Sequence, residues 1–202
     1  SIRRQRQMCI RDSTYRVAAL CERIAKAAGM CAYDVELAWL SGMLHDVGRF
    51  EQIKRYNTFS DADSVDHAKF GADLLFKDGL ISTFLNGMVK CTGYKPGALE
   101  DRYSSDGVFL YDRLNKSDME MLELAIRCHN MYRIPQGLNR REQAFCNVLR
   151  DADKVDIFKV NIDTPLEEIY NTTTEELMKS DITDEVLEAF GEEHCILLSL
   201  IH

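Results

Sequence analysis

The sequence predicts an all-α protein built as a helical bundle. Apolar residues recur at the 3.6-residue spacing of a helix along most of the chain, and only three prolines interrupt the pattern. The composition, with 46% hydrophobic and 29% charged residues, is that of an ordinary globular protein. At 202 residues the chain is long enough to bury a substantial core without disulfides.

The first predicted helix covers residues 15–28 and presents one apolar stripe, and Gly29 follows as its C-terminal cap. The second helix is predicted to begin at Asp34, whose carboxylate can accept a hydrogen bond from the first turn, and to end at Gly48. Asp66 is the predicted N-cap of a third helix. Three amphipathic helices therefore account for much of the N-terminal half.

Residues 91–116 break the helical rhythm with glycines, aromatic residues and charges, which predicts a loop insertion of the kind that often serves as a lid. A capping-box pattern beginning at Ser117 opens the next helix, and Asn139 opens another. From about residue 164 the pattern predicts short helices. We therefore expect a single helical domain over residues 1–202 with an insertion and a C-terminal helical extension.

Composition and charge limit the classes of molecule that the protein is expected to bind. The net charge of -8 disfavours nucleic acid, which attracts basic surfaces, and no apolar run approaches the length of a membrane span. Seven scattered cysteines without a CxxC pair favour reduced thiols and a cytoplasmic protein. The apolar segment HCILLSLIH is expected to be buried or to pair with another chain, so a homo-oligomer is one expectation.

Five residues of metal-ligand type sit where helix packing would otherwise favour leucine: His45, Asp46, His67, His129 and Asp153. Such side chains cost free energy to bury unless they are paired or bound. A lone histidine on an apolar face is more often a satisfied core residue than a ligand, and an isolated HD dipeptide occurs often by chance. Their joint occurrence on four helices favours a centre for one or two divalent ions, because imidazole and carboxylate are the ligands of hydrolytic metal sites.

Five segments cover most of residues 13–158: RVAALCERIA, GMLHDVGRF, DHAKFGADLL, AIRCHNMYRIPQGL and VLRDADKVDIF. In their order and context the chain resembles the HD-domain superfamily of metal-dependent phosphohydrolases, whose fold is an all-α bundle. The resemblance implies that His45 and Asp46 are metal ligands, with Asp46 a candidate bridge between two ions. It also implies Asp153 as the late aspartate ligand. The extra ligands of the family's two-metal branch correspond to His67 and His129.

The activity implied by the resemblance is hydrolysis of a small phosphoester, with nucleotides among the candidates, by a metal-activated water. The metal is left open among Mn, Fe, Zn, Ni and Mg, and monoester and diester substrates are both left open. Asp46, His67 and His129 are the predicted catalytic residues, with a histidine protonating the leaving group if it holds no second ion. Three cations that follow these site residues in the sequence are predicted to bind the phosphate: Arg49, Lys154 and Arg133.

One position departs from the family pattern. The first histidine of the family would fall at Ser13, and serine is a poor metal ligand. Loss of one neutral ligand should weaken the centre without erasing it, because His45, Asp46 and Asp153 remain. The alternative function is therefore a catalytically weakened or inactive protein of the same fold that binds or senses a nucleotide.

Overall fold

Helices make up most of the computed structural model, which describes residues 2–90, 114–163, 173–179 and 181–192; no strand occurs in these ranges. In chain order the helices are α1 (Ile2–Ala27), α2 (Ala32–Leu44), α3 (Val47–Tyr56), α4 (His67–Ala72), α5 (Leu80–Lys90), α6 (Lys116–Cys128), α7 (Arg140–Asp163), α8 (Thr174–Leu177) and α9 (Asp184–Gly191). A short π-helical stretch, Asp73–Lys77, continues α4. The predicted all-α class is confirmed. Each described helix is too short or too polar to cross a lipid bilayer.

The chain divides into two compact units, Ser1–Asp163 and Thr164–His202. The first unit contains α1 to α7, and the second contains α8 and α9. Within the second unit, α9 leaves Leu187 and Phe190 exposed. The single domain with a C-terminal extension stays a prediction. Most of the predicted insertion at 91–116 lies outside the described residues, as does the apolar C-terminal segment.

The core of the first unit forms where the long helices cross. Helix α1 packs along α2 and α7, α6 packs against α4 and α7, and α3 packs against α1 and α4. The largest side chains with no exposed surface include Leu37 and Leu40 of α2, Leu122 of α6, and Phe145 and Leu149 of α7. Each such side chain stabilises the fold by about 1.5–3 kcal/mol relative to exposure. The site described below therefore stands on a rigid scaffold.

Of the two N-caps predicted at Asp34 and Asp66, the structure contains only the second. Helix α2 has Cys31 as its N-cap, so the prediction of Asp34 as the cap is wrong. The Asp34 carboxylate instead accepts a hydrogen bond from Arg141 Nη2 at 2.6 Å and so joins α2 to α7. The cap at Asp66 is confirmed, because its carboxylate accepts a hydrogen bond from the Lys69 backbone N–H. A long-range ion pair thus overrode a local capping preference at one of these two ends.

Helix α6 begins with a capping box formed by Asn115 and Asp118, two residues before the predicted one. The Asp118 side chain is buried and accepts a hydrogen bond from Tyr33 Oη at 2.6 Å. It also pairs with Arg141 Nη1 at 2.7 Å. These contacts with distant residues place Asp118 at the third helical position. The predicted helix start at Asn139 is confirmed, and its side chain caps α7.

Two glycines allow α3 and α4 to approach closely. Gly48 was predicted to end the second helix, but that helix ends at Leu44 and Gly48 lies inside α3. A Cβ atom on Gly48 would lie 2.2 Å from the His67 carbonyl oxygen and 2.8 Å from the Gly71 backbone nitrogen. The predicted role is therefore wrong. Gly48 is required because no side chain fits between the helices at the point where His67 enters the site.

Candidate metal centre

Five predicted ligand residues come from four places in the fold. His45 and Asp46 form the junction between α2 and α3, and His67 is the first residue of α4. His129 directly follows α6, and Asp153 lies in the middle of α7. The three imidazoles are buried, with 0%, 3% and 1% of their surface exposed in chain order. The structure brings all five side chains to one location inside the bundle.

Asp46 lies at the centre of the group. Its Oδ1 atom lies 3.4 Å from His67 Nε2 and 3.7 Å from His129 Nε2. Its Oδ2 atom lies 3.5 Å from His45 Nε2, which in turn lies 3.8 Å from Asp153 Oδ1. These separations suit two ligands that each bind one ion at about 2 Å. Asp46 Oδ1 therefore faces His67 and His129, while Oδ2 faces His45, which in turn faces Asp153. The ligand atoms of His45, Asp46 and His129 all lie within 4.8 Å of one another, close enough to hold one ion.

The hydrogen bonds of the imidazoles set their tautomers. In His45 and in His129, Nδ1 lies 2.7 Å from the backbone carbonyl oxygen three residues earlier. In His67, Nδ1 lies 2.6 Å from Asp61 Oδ2. Because carbonyl and carboxylate oxygens only accept hydrogen bonds, each Nδ1 donates its proton. In a neutral imidazole this leaves the Nε2 lone pair free as an acceptor or metal ligand.

The Nε2 atoms lack donors among the described residues. His45 Nε2 is buried and has no hydrogen-bond partner. His67 Nε2 and His129 Nε2 lie 3.1 Å apart, where two neutral imidazoles of this tautomer would face each other with lone pairs. Buried polar atoms are normally satisfied, so this arrangement calls for a positive charge between them. The nitrogen and oxygen donor set fits a divalent cation such as zinc, iron or manganese.

The pKa shifts of these side chains also favour a bound cation. Burial lowers the pKa of His45, but the neighbouring Asp46 and Asp153 carboxylates outweigh it and raise that pKa to about 9. Burial raises the pKa of Asp46, but the adjacent His45 and His129 imidazoles lower it well below its usual value. Burial lowers the pKa of His129. The centre therefore keeps Asp46 ionised and favours a positive charge beside His45 Nε2.

A residue that the sequence analysis missed, Asp61, lies behind His67. It is in the loop between α3 and α4 and also accepts hydrogen bonds from Arg49 at 3.1 Å and Gln52 at 2.9 Å. Burial raises its pKa, but the hydrogen bond with His67 and nearby positive charges lower it to about 2. Nothing in the local sequence separates Asp61 from its neighbour Asp63, because the loop has no helical periodicity. A polar Gln52 among buried residues of α3 is the one local signal of this network.

Arg49, a predicted phosphate ligand, lies beside the centre and holds the loop. Its Nη1 donates hydrogen bonds to Gln52 Oε1 at 2.9 Å and to the Phe59 carbonyl oxygen at 2.7 Å. Its Nε lies 3.7 Å from Asp46 Oδ1. The structure thus places Arg49 next to the central carboxylate, with one nitrogen already committed to the loop.

The other two predicted phosphate ligands differ in position. Lys154 Nζ pairs with Asp153 Oδ2 at 3.0 Å, and 53% of the lysine side chain is exposed. Arg133 is exposed and stacks over the Tyr132 ring at 5.7 Å. Lys154 therefore contacts a residue of the centre directly, whereas Arg133 contacts an aromatic side chain at the surface.

Ser13, which replaces a predicted ligand, is engaged elsewhere. Its hydroxyl donates a hydrogen bond to Asp156 Oδ2 at 2.5 Å. Arg16 Nε donates to Oδ1 of the same carboxylate at 2.6 Å. Asp156 lies three residues after Asp153 on α7, so Ser13 reaches the helix that carries the late aspartate. The Ser13 hydroxyl is therefore committed to Asp156.

Comparison with known families identifies a family that this chain matches. The family model described as HD domain matches residues 12–161, well over half of the chain. The match contains Ser13 and all five residues of the centre. The comparison with curated proteins gave no match, and neither did the comparison with solved structures.

Proposed function

Since the chain belongs to the HD-domain family, as predicted, we propose that it is a metal-dependent phosphohydrolase acting on a small phosphoester. The observation that carries this proposal is the convergence of three imidazole Nε2 atoms around the Asp46 carboxylate. A bound divalent ion would supply Lewis acidity toward a phosphoryl oxygen and lower the pKa of a water molecule. The buried nitrogen and oxygen donors described above support such an ion.

The neighbours of the two Asp46 oxygens suggest which residues would bind each of two ions. We assign His45, Asp46 and Asp153 to one ion, and His67, His129 and Asp46 to a second. The two Asp46 oxygens approach different imidazoles, Oδ2 that of His45 and Oδ1 those of His67 and His129, which supports this division. If only the first set is loaded, His67 and His129 face Asp46 with free Nε2 atoms. Either imidazole can then hydrogen-bond the substrate and, once it has taken up a proton on Nε2, pass that proton to the leaving group.

The substrate phosphate needs cations, because the centre itself contains two carboxylates and the chain carries a net charge of -8. Lys154 is best placed, since its half-exposed ammonium group can turn from Asp153 toward a phosphate. Arg49 would orient the substrate beside Asp46, and Arg133 would contact a distal part. A nucleotide is one such substrate, and its base could stack on the exposed Tyr132 ring.

Metal removal tests the proposal. We expect the untreated protein to contain one or two divalent ions per chain by elemental analysis. It should hydrolyse p-nitrophenyl phosphate or bis-p-nitrophenyl phosphate at a rate that a chelator abolishes. Separate addition of Mn²⁺, Fe²⁺, Zn²⁺, Ni²⁺ and Mg²⁺ should restore the rate for at least one ion. Absence of both bound metal and metal-dependent hydrolysis would contradict the proposal and favour the interpretation that these residues are polar core residues that bind no metal.

The second candidate function, nucleotide binding or sensing without turnover, is favoured by the engagement of Ser13 with Asp156. Its test is Ser13→His, which supplies the missing imidazole. If the centre is weakened by this one ligand, metal affinity should rise about tenfold or more, in line with the effect of single changes around metal sites. Metal titration by calorimetry measures this change.

The control for this variant is Ser13→Ala, which also removes the hydrogen bond to Asp156 but adds no ligand. A gain seen equally in both variants would assign it to release of Asp156 and contradict the weakened-centre interpretation. A gain specific to Ser13→His, together with the appearance of hydrolysis, would support a sensor derived from an enzyme.

A further inference from the structure

His67 contacts a carboxylate through each of its two ring nitrogens. Its Nε2 lies 3.4 Å from Asp46 Oδ1, and its Nδ1 lies 2.6 Å from Asp61 Oδ2. Only the unprotonated nitrogen can bind a metal ion. We propose that Asp61 is a positioning residue that holds the His67 proton on Nδ1 and so keeps Nε2 available. The metal-binding part of this inference rests on the proposed function.

The Asp61 carboxylate is fixed by donors on both oxygens. Oδ1 accepts from Gln52 Nε2 at 2.9 Å and from Arg49 Nη1 at 3.1 Å. Oδ2 accepts from Asn130 Nδ2 at 3.3 Å, and His67 Nδ1 donates to the carboxylate at 2.6 Å from Oδ2 and 2.9 Å from Oδ1. Amide NH₂ groups and guanidinium groups only donate. The side chain can therefore offer His67 nothing but an acceptor, which determines the tautomer.

Gln52 is held in one amide orientation. Its Oε1 accepts from Arg49 Nη1 at 2.9 Å, so the oxygen must face the guanidinium group. Its Nε2 then donates to Asp61, to Ser64 Oγ at 2.8 Å and to the Val65 carbonyl oxygen at 3.1 Å. The Gln52 side chain has no exposed surface. A buried and fully satisfied network of this kind is rigid and specific.

The loop that carries Asp61 is also tied to α1. Arg6 Nη1 donates to the Asn57 carbonyl oxygen at 2.5 Å, and the Phe59 ring contacts two guanidinium groups, those of Arg6 at 5.8 Å and Arg49 at 5.9 Å. Arg49 Nη1 donates in addition to the Phe59 carbonyl oxygen. Asp61 is therefore presented by a braced loop, which suits a group whose task is to orient another side chain.

The informative variant is Asp61→Asn, which is nearly isosteric. The donors Gln52 and Arg49 will select the amide oxygen for the Oδ1 position. His67 Nδ1 lies closer to the Oδ2 position, at 2.6 Å against 2.9 Å for Oδ1, so it meets the amide NH₂ there first. That NH₂ donates to Nδ1, and the His67 proton moves to Nε2. A protonated Nε2 directed at Asp46 cannot bind an ion. We expect zinc affinity to fall 10–100-fold, as is typical when a group behind a metal ligand is changed.

The experiment combines zinc titration by calorimetry with ¹⁵N NMR of the histidine side chains, assigned with a His67→Gln variant. Spectra are recorded for the metal-free protein at pH 9 and for the zinc-loaded protein. We expect protonated Nδ1 and unprotonated Nε2 in the wild type, and the reverse in Asp61→Asn. The control is Asp63→Asn, the same chemical change at an exposed position of the same loop. It should change neither the tautomer nor zinc affinity.

The results separate this inference from the proposed function. A wild-type protein that binds no zinc would contradict the proposed metal centre, while the metal-free spectra still test the tautomer. An unprotonated Nδ1 in wild-type His67 would overturn the role of Asp61 even if Asp61→Asn did not fold. Unchanged zinc affinity in a folded Asp61→Asn variant would overturn it as well. A loss of thermal stability with wild-type tautomer and affinity would make Asp61 merely structural.

Discussion

Asp46→Asn should remove the bound metal and lower phosphoester hydrolysis by about 10³-fold or more, a loss of about 4 kcal/mol in transition-state stabilisation. The Asp46 carboxylate faces three imidazole Nε2 atoms, two through Oδ1 and one through Oδ2. An amide has one acceptor oxygen, no charge and an NH₂ group that would donate to one of these lone pairs. The substitution therefore removes a shared ligand and blocks a second one. Metal content per chain and initial rates measure the effect.

Asp151→Asn is the matched control for this prediction. Asp151 lies two residues before Asp153 on α7 but is exposed. The same change of carboxylate to amide should leave metal content and rate unchanged there. Wild-type metal content and activity in Asp46→Asn would contradict the centre proposed here. Equal losses in both variants would indicate a general effect of surface charge.

Much of the fold follows from local sequence. The helical class and the caps at Asp66 and Asn139 depend on spacing within a few residues, so periodicity and capping chemistry predict them. The histidines at positions 45, 67 and 129 stand out because each interrupts an apolar stripe. That local signal singles out residues that the structure then brings together, although the spacing itself carries no distances.

The rest depends on contacts between distant parts of the chain. The capping box of α6 is set by Asp118, whose partner Tyr33 lies far away in the sequence. Asp61 is distinguished from the other loop aspartates only by the buried groups that surround it. Whether Ser13 is compensated likewise depends on Asp156, which belongs to another helix. Such long-range contacts produce no periodic pattern in the sequence, so they could not be predicted from it.

The requirement for Gly48 also comes from a distant part of the chain, the backbone of α4. A side chain at this position should therefore affect both stability and metal binding. Gly48→Ala would place a Cβ atom 2.2 Å from the His67 carbonyl oxygen and 2.8 Å from the Gly71 backbone nitrogen. Because backbone atoms of two packed helices cannot shift cheaply, we expect a loss of about 3 kcal/mol in the free energy of unfolding, at the upper end for overpacking. The displaced residue is His67 itself, so metal affinity should fall together with stability.

Urea unfolding and zinc titration of a graded series test this link between packing and the centre. Gly71→Ala should be milder, because its nearest contact is 2.9 Å, to the Gly48 backbone nitrogen. Gly191→Ala is the control, since a Cβ atom there meets nothing within 4 Å, and stability should be unchanged or slightly higher. A Gly48→Ala protein as stable as the wild type would show that α3 and α4 do not approach this closely. The distance between His67 and Asp46, and with it the shared ligand set, depends on that approach.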